Sequence, residues 1–480
     1  MKQLKLRLQL ALSEGAGGFI PLKNGRRIRA FRPGPVLLAL SRLVAALCLI
    51  AAPLSLTSRL HAESWRTTKR ICQEWAADKR AYHNFEECVL DLFTLDPVGP
   101  TGGSIGSGSS VAGGLRFVKP FNKGRFQSNL TVRGMYSLKN FYLFDGTYTM
   151  IMPPVGRWKT TGKNTTKFVD DDMSQIKIAA SRTDLRTQDF YGLGPNSTLA
   201  GHAVYRLQED SVGADAYTPL TSWSGVNAGL HYLSPEVKGV SGDSLPSVGV
   251  FYGEHNAPAS IERPDFVEFG VGASLRTPTF KVRLPWESHT ATLLYQHYSD
   301  VGSSRYSFGQ LSAAAALTAQ IRPRMAKFEY PRPWGKDLIC QQGNDLHCTL
   351  GTLTVSGLTT VSYTGTNSQV PFYLQPTLGG TDVNGVDTLR GLIDYRLRAP
   401  NRVLVQTQFD KAVWGPLGLY TFFDAGQVEP TPSQLSFANL RTDVGVGATL
   451  SVQNKIVVRL YIGFGAGEGS HPNVKLPSAF

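Results

Sequence analysis

Beyond residue 62 the chain holds no apolar run of the roughly 18 residues a helix needs to cross a bilayer, which excludes a helical span there. Cysteine is scarce: Cys72, Cys88, Cys340 and Cys348 follow residue 62, an even number that suits pairing in an oxidising compartment. The nine histidines show no ligand spacing, so neither a metal site nor a cofactor is expected. Acid is almost missing from the first 62 residues, where ten Lys and Arg stand against Glu14 alone. Those residues carry +9 of the chain's +13 and leave +4 for the remainder, so the basic balance gives no reason to expect nucleic acid as a partner.

What is present begins with that basic lead-in, an apolar run from Val36 to Leu56 and a small residue at Ala62. This is the order of an export signal, and residues 1–62 are read as a signal peptide. A retained membrane anchor is the alternative, although Arg42 and Pro53 interrupt the run. Residues 63–95 have helical spacing, with Cys72, Trp75, Tyr82, Phe85, Val89 and Leu92 recurring at threes, fours and sevens. One straight helix would hold Cys72 and Cys88 about 24 Å apart, too far for a disulfide. Either the segment is a helical hairpin clipped by that pair, the preferred reading, or both thiols are free. It is expected in the periplasm, where it could dock a separate protein partner.

Residues 96–480 are rich in Gly, Thr, Ser, Tyr and Phe, in short alternating segments between turn residues. In "DVGVGATLSV" Val444, Val446, Ala448, Leu450 and Val452 share a face. In "KIVVRLYIGFG" Ile456, Val458, Leu460, Ile462 and Phe464 lie opposite Lys455, Arg459 and Tyr461. Period two with charge on one side only fits a strand between lipid and lumen, and the fold class expected is an all-β transmembrane antiparallel barrel. A soluble sandwich shares the alternation. The terminal "NVKLPSAF", with Val474, Leu476 and Phe480 in phase, favours the outer membrane, whose barrels end on such strands. Outer-membrane lipid and lipopolysaccharide are then the expected surroundings.

Counting back from the terminus places strands near 472–480, 455–465, 442–453, 417–425 and 398–410, a long loop 380–397, and strands near 370–379 and 351–363. Parity puts the 380–397 loop on the outer side and the 322–350 connection there as well. Cys340 and Cys348 would then close an outer loop by a disulfide; zinc held by His347 beside Cys348 is disfavoured. The stretch "GPTGGSIGSGSSVAGG" (Gly99 to Gly114) contains a Gly-x-Ser-x-Gly match at Ser104, but Pro97 and Pro100 precede it and no helix pattern follows, so no hydrolase or other enzyme is read from it. It begins the first barrel strand instead, and a seam between residues 108–118 and 474–480 would be weakly paired. Gly463, Gly465, Gly467 and Gly469 do not form a nucleotide loop, and "VDDD" (Val169 to Asp172) is read as a solvated loop, with a site for divalent or lipopolysaccharide-bridging cations as the alternative.

The segment from Pro376, "PTLGGTDVNGVDTLRGLIDYRLRAPNRVLVQTQFDKAVWGPLGLYTFFDAGQV", resembles the C-terminal signature of the BamA/TamA-type superfamily of outer-membrane barrels, the bacterial surface antigen family. The shared features are a Gly-Gly before an Arg-Gly loop and a Phe-x-Asp-x-Gly strand; "DFYGLGPNST" is similar to a further family segment. The resemblance implies about 16 strands, an inward-folded sixth outer loop, and a role in inserting or translocating protein or lipid. It also implies a latch in which Arg390 and Gly391 meet Asp424, with Phe422 and Gly426 beside them. Two positions depart from the pattern: Leu392 replaces an aromatic and Gln408 a lumenal Glu, which makes Asp410 an alternative partner for Arg390. The periplasmic POTRA modules usual in such relatives do not fit into residues 63–95. A passive porin, or a structural barrel serving a separately encoded periplasmic partner, are the competing readings.

Overall fold

The computed structural model describes residues 97–475 except 107, 110, 124–125, 153–156, 161–165, 170–172, 222, 241–243, 278–285, 322–326, 331–337, 342–350, 415–416, 453–454 and 466, together with Arg70 and Gln73, both helical. The expected signal peptide, the clip between Cys72 and Cys88, Cys348, the Cys340 side chain, and Leu476 and Phe480 lie outside the described residues.

Alternating residues form sixteen strands in one antiparallel sheet, each paired with its neighbour in the chain. They are β1 Val98–Gly103, β2 Ala112–Lys123, β3 Phe126–Ser137, β4 Tyr142–Ile151, β5 Gln175–Phe190, β6 Ala203–Thr221, β7 Ser224–Lys238 and β8 Phe266–Thr277. The second half is β9 Trp286–Asp300, β10 Phe308–Ile321, β11 Gly351–Thr364, β12 Asn401–Trp414, β13 Leu417–Glu429, β14 Arg441–Val452, β15 Lys455–Gly465 and β16 Gly469–Lys475. The sheet curls into a nearly closed barrel, and among the described residues no ladder joins β1 to β16. Among the described residues no helix is long and apolar enough to cross a membrane. The lipid side is supplied by strands: Leu230, Leu293, Val446 and Leu460 are each about half exposed on the outer wall, while their sequence neighbours turn to a polar or filled lumen.

Two expectations about topology are corrected. There is no membrane strand at 370–379: β11 pairs directly with β12, and 365–400 is one long connection. The apolar residues that imitate a strand, Val370, Phe372, Tyr373 and Leu378, are buried against protein, and Pro371 and Pro376 have no N–H to give a ladder. Removing that strand reverses the parity upstream, so the 322–350 connection with Cys340 opens at the barrel end opposite the 365–400 loop. At that opposite end only two residues of chain separate β2 from β3, β6 from β7, β12 from β13 and β14 from β15. That end also has two long connections, each with a hairpin: Arg157–Thr160 with Thr166–Val169, and Lys327–Tyr330 with Leu338–Gln341. The second correction concerns the seam. Its N-terminal edge is β1, whereas residues 112–118 sit one strand inward in β2.

The loop end is filled by an aromatic cluster of Phe190, Tyr205, Phe266, Phe308, Phe372 and Tyr373, so the connection following β11 starts inside protein. Over it lies the 239–265 connection, with short helices Val248–Phe251 and Gly253–Asn256. Glu254 staples it: its carboxylate accepts from the backbone N–H groups of Ala259 (2.5 Å) and Ile261 (2.8 Å) and from Tyr306 Oη. Burial works to raise the Glu254 pKa, but these donors outweigh it and hold the group below an ordinary glutamate. With a depressed folded pKa, the tie is complete above the free value of about 4.3 and is lost as pH falls through the folded one. A spin label at Val250→Cys, an 88% exposed site, is therefore expected to gain mobility in acid below pH ~4, and Glu254→Gln to give that mobility at neutral pH. A label equally restrained in both proteins at all pH values sinks this account.

Candidate functional site: an arginine loop inside the barrel

The 365–400 loop turns inward on a small hairpin that its own residues build. Gly380 takes φ +54°, and a side chain there would collide with Asp394, whose Oδ1 accepts from the Thr381 N–H at 2.9 Å. Backbone bonds from Gly380 N–H to Leu389 O (2.8 Å) and Thr388 N–H to Gly380 O (2.9 Å) close the hairpin. Leu378, Leu389, Leu392 and Leu397 pack against Leu404 of β12 and Val428 of β13. Burying each such side chain contributes about 1.5–3 kcal/mol, so the loop rests against the wall by apolar contact before any ion pair is counted.

On β13 the period-two phase turns Tyr420, Phe422 and Asp424 inward and leaves Leu419 and Phe423 outside. Arg390 meets that inner face. Its Nε donates to Asp424 Oδ2 at 2.8 Å and its Nη2 to Oδ1 at 2.7 Å, a bidentate pair in which the side chains are 3% and 0% exposed. The Arg390 N–H adds a longer bond to Oδ2 at 3.3 Å. The guanidinium lies 3.8 Å from the Phe422 ring centroid. Its Nη1 donates to Gln408 Oε1 at 2.5 Å, and the Gln408 amide in turn donates to both Asp410 oxygens at 2.9 and 3.0 Å. Of the two acids considered, Asp424 is thus the direct partner and Asp410 is reached through Gln408. A Cβ added at Gly426 would stand 3.0 Å from Leu378 Cδ1 of the loop, and one added at Gly465 would stand 2.7 Å from Leu392 Cδ2.

Several functional positions were absent from the sequence reading. The Gly391 N–H donates to Asp443 of β14 at 2.9 Å. Gly391 lies flat on β15, where an added Cβ would stand 2.7 Å from Gly465 N and 2.8 Å from Phe464 C. Gly463 and Gly465 are therefore wall positions cleared for the loop backbone, each with loop main chain within 2.5 Å of where a Cβ would be. Arg402 of β12 donates to Asp382 at 2.7 Å and to Thr377 O at 3.1 Å. At the loop's root Arg398 is fully buried; its Nη1 donates to Phe372 O at 2.6 Å among the rings of Phe190, Tyr205, Phe372 and Tyr395. Alternation of small and aromatic residues facing each other across β13, β14 and β15 was the available signal for the glycines. The acids at 443 and 382 had none.

No protein-family model and no curated protein sequence matches the chain. Among solved structures it is similar to BamA from Haemophilus ducreyi lacking POTRA domains 1–3, with a TM-score of 0.50 and 13% identity over 78% of this chain and 68% of that one. It also matches CdiB from Escherichia coli (TM-score 0.44, 12% identity, 79% of this chain) and OprD from Pseudomonas aeruginosa (TM-score 0.31, 11% identity, 79% of this chain and 90% of that one). This chain spans about three fifths of the CdiB chain, 61%. With sixteen strands in sequential antiparallel order, an apolar outer belt and a loop seated in the lumen, the chain has the fold of a BamA-type β-barrel of the bacterial outer membrane.

Proposed function

We propose that this barrel is a non-catalytic member of the BamA/TamA-type superfamily that assists insertion or translocation of protein or lipid at the outer membrane, with the 365–400 loop as its latch. The observation that carries this reading is the bidentate bond of Arg390 to Asp424 inside the lumen. A wall-bound loop with a buried ion pair at its tip is a bistable element: a whole pair is satisfied, and a separated one leaves two charges to be rehydrated. Outer-membrane lipid and lipopolysaccharide are the proposed surroundings, and residues 63–95 the proposed dock for a periplasmic protein.

The Arg390 backbone N–H reaches the Asp424 carboxylate at 3.3 Å, so the loop tip stands one short side chain from β13 and a cysteine pair at the two positions tests the contact. Arg390→Cys combined with Asp424→Cys is expected to cross-link in isolated outer membranes, seen as a gel shift, and to block insertion or secretion until reduced. Cysteines that stay apart and react with a membrane-impermeant reagent from outside, in a barrel that conducts ions, would instead support the porin reading.

A further inference from the structure

A tilted membrane strand crosses the bilayer in about 9–11 residues. β5, β6 and β7 have 16, 19 and 15, and β6 counted from Thr221 has spent the crossing length near Val212. The apolar phase of the outer wall ends at the same level. Ile178, Val212 and Leu230 are 50%, 37% and 50% exposed there. The positions that continue their faces toward the loop end are Arg182 and Asp184 on β5, Asp210, Gln208 and Arg206 on β6, and Ser234, Glu236 and Lys238 on β7. They stand in rows across the ladders: Arg182↔Asp210↔Ser234, Asp184↔Gln208↔Glu236 and Arg206↔Lys238. The flanking strands stop short of the last row, β4 at Tyr142 opposite Asp184 and β8 at Phe266 opposite Leu233.

In each ion pair of this lattice the cation is the more exposed partner. Arg182 is 46% exposed beside Asp210 at 34%, Arg206 32% beside Asp184 at 2%, and Lys238 at 35% and Arg263 at 57% share Glu236 at 32%. Acids lie beneath and are tied to the wall: Asp184 accepts from Arg206 and from Gln208 Nε2 at 2.9 Å, and Asp265 from Tyr232 Oη at 2.9 Å and Ser234 Oγ at 2.7 Å. The outermost guanidiniums are loosely engaged. Arg182 has a bond of 3.3 Å to Asp210 and a long one of 3.4 Å to Tyr142 Oη, and Arg263 bonds Glu236 through Nη1 alone. Among the described residues most of their five N–H donors therefore have no protein acceptor. At this height the outside of a barrel faces lipid headgroups, neither acyl chains nor open water.

We propose that the outward face of β5–β7 is a binding site for the phosphorylated sugar headgroup of an outer-leaflet glycolipid, lipopolysaccharide. Arg182 and Arg263 take phosphate oxygens through their unused N–H groups, Lys238 adds a point charge, and the carboxylates beneath hold the three in place. A second copy of the chain docked here about a two-fold axis would set these cations against themselves, so the charge favours an anionic lipid. The inference rests on the outer-membrane setting of the functional reading above, with the loop end outside, and not on the latch.

The test is binding of fluorescent bisphosphorylated lipid A to the full-length protein in detergent micelles. Arg182→Gln combined with Arg263→Gln is expected to weaken binding by roughly tenfold, and Arg182→Lys with Arg263→Lys to recover part of the loss. Lipid A stripped of both phosphates should bind the wild type no better than bisphosphorylated lipid A binds the Gln variant. Lys238→Gln asks the same question should the double variant fail to fold. Equal affinity of the wild type and every folded Gln variant overturns the site, and self-association that those variants abolish would then assign the face to a second copy. A Val250→Cys that an impermeant reagent cannot reach on intact cells overturns the orientation and the glycolipid with it. Normal lipid A binding by a barrel whose latch cysteines stay apart keeps the site and removes only the latch.

Discussion

Replacing Arg390 with alanine is expected to destabilise the folded barrel by about 3–5 kcal/mol, because the Asp424 carboxylate then stays in the lumen wall without its counter-ion. Asp424 is 0% exposed and Asp443, a second acid, is its cross-strand partner on β14, so that neighbour offers no cation in place of the lost guanidinium. The measurement is the urea midpoint for loss of the folded, faster-migrating band on unheated gels, together with an insertion or secretion assay. Asp424→Arg combined with Arg390→Asp should recover part of the loss, since an arginine at 424 gains Asp443 beside it. A wild-type midpoint and activity for Arg390→Ala would remove the latch.

Gly391→Ala should be nearly as damaging although it removes no charge. The new methyl would meet Asp443 Cβ at 2.6 Å, Gly465 N at 2.7 Å and Phe464 C at 2.8 Å, all of them atoms that cannot turn aside. The loop tip must lift from β15, and the Arg390 pair opens with it. Gly385→Ala is the control. Gly385 lies in the same loop at φ +78°, but a Cβ there has open space around it, so only the left-handed conformation is penalised, by about 1–2 kcal/mol. Equal urea midpoints for the two variants would mean that the close approach at β15 does not hold the loop.

The strands nearest the C-terminus were the most legible in the sequence. The stretch expected at 455–465 is β15 itself, and 442–453 and 417–425 differ from β14 and β13 only at their ends. Lipid imposes a strict apolar phase there, and the opposite face carries the few charges. Legibility failed where apolar residues are buried by protein instead of lipid. Val370 to Leu378 carry the same composition as a membrane strand, and one false strand was enough to send the Cys340 connection to the wrong end. In the site, the phase of Phe422 and Asp424 could be read from β13 alone. Asp443, Asp387, Arg459 and Lys475 look like any lumenal charges until the loop is laid against them, and Gly463 and Gly465 look like weak strand positions. Contacts between segments some 70 to 90 residues apart leave no local pattern to read.

Arg398, held at the loop's root by a carbonyl and a ring of aromatics, has a consequence for how the loop can move. Its grip involves no carboxylate, so loss of the ion pairs at the tip leaves it untouched, and it is too deeply enclosed for salt to screen. The two halves of the loop therefore answer to different chemistry. It behaves as an arm with a fixed shoulder and a hand that can let go, and what leaves the wall is the hand alone.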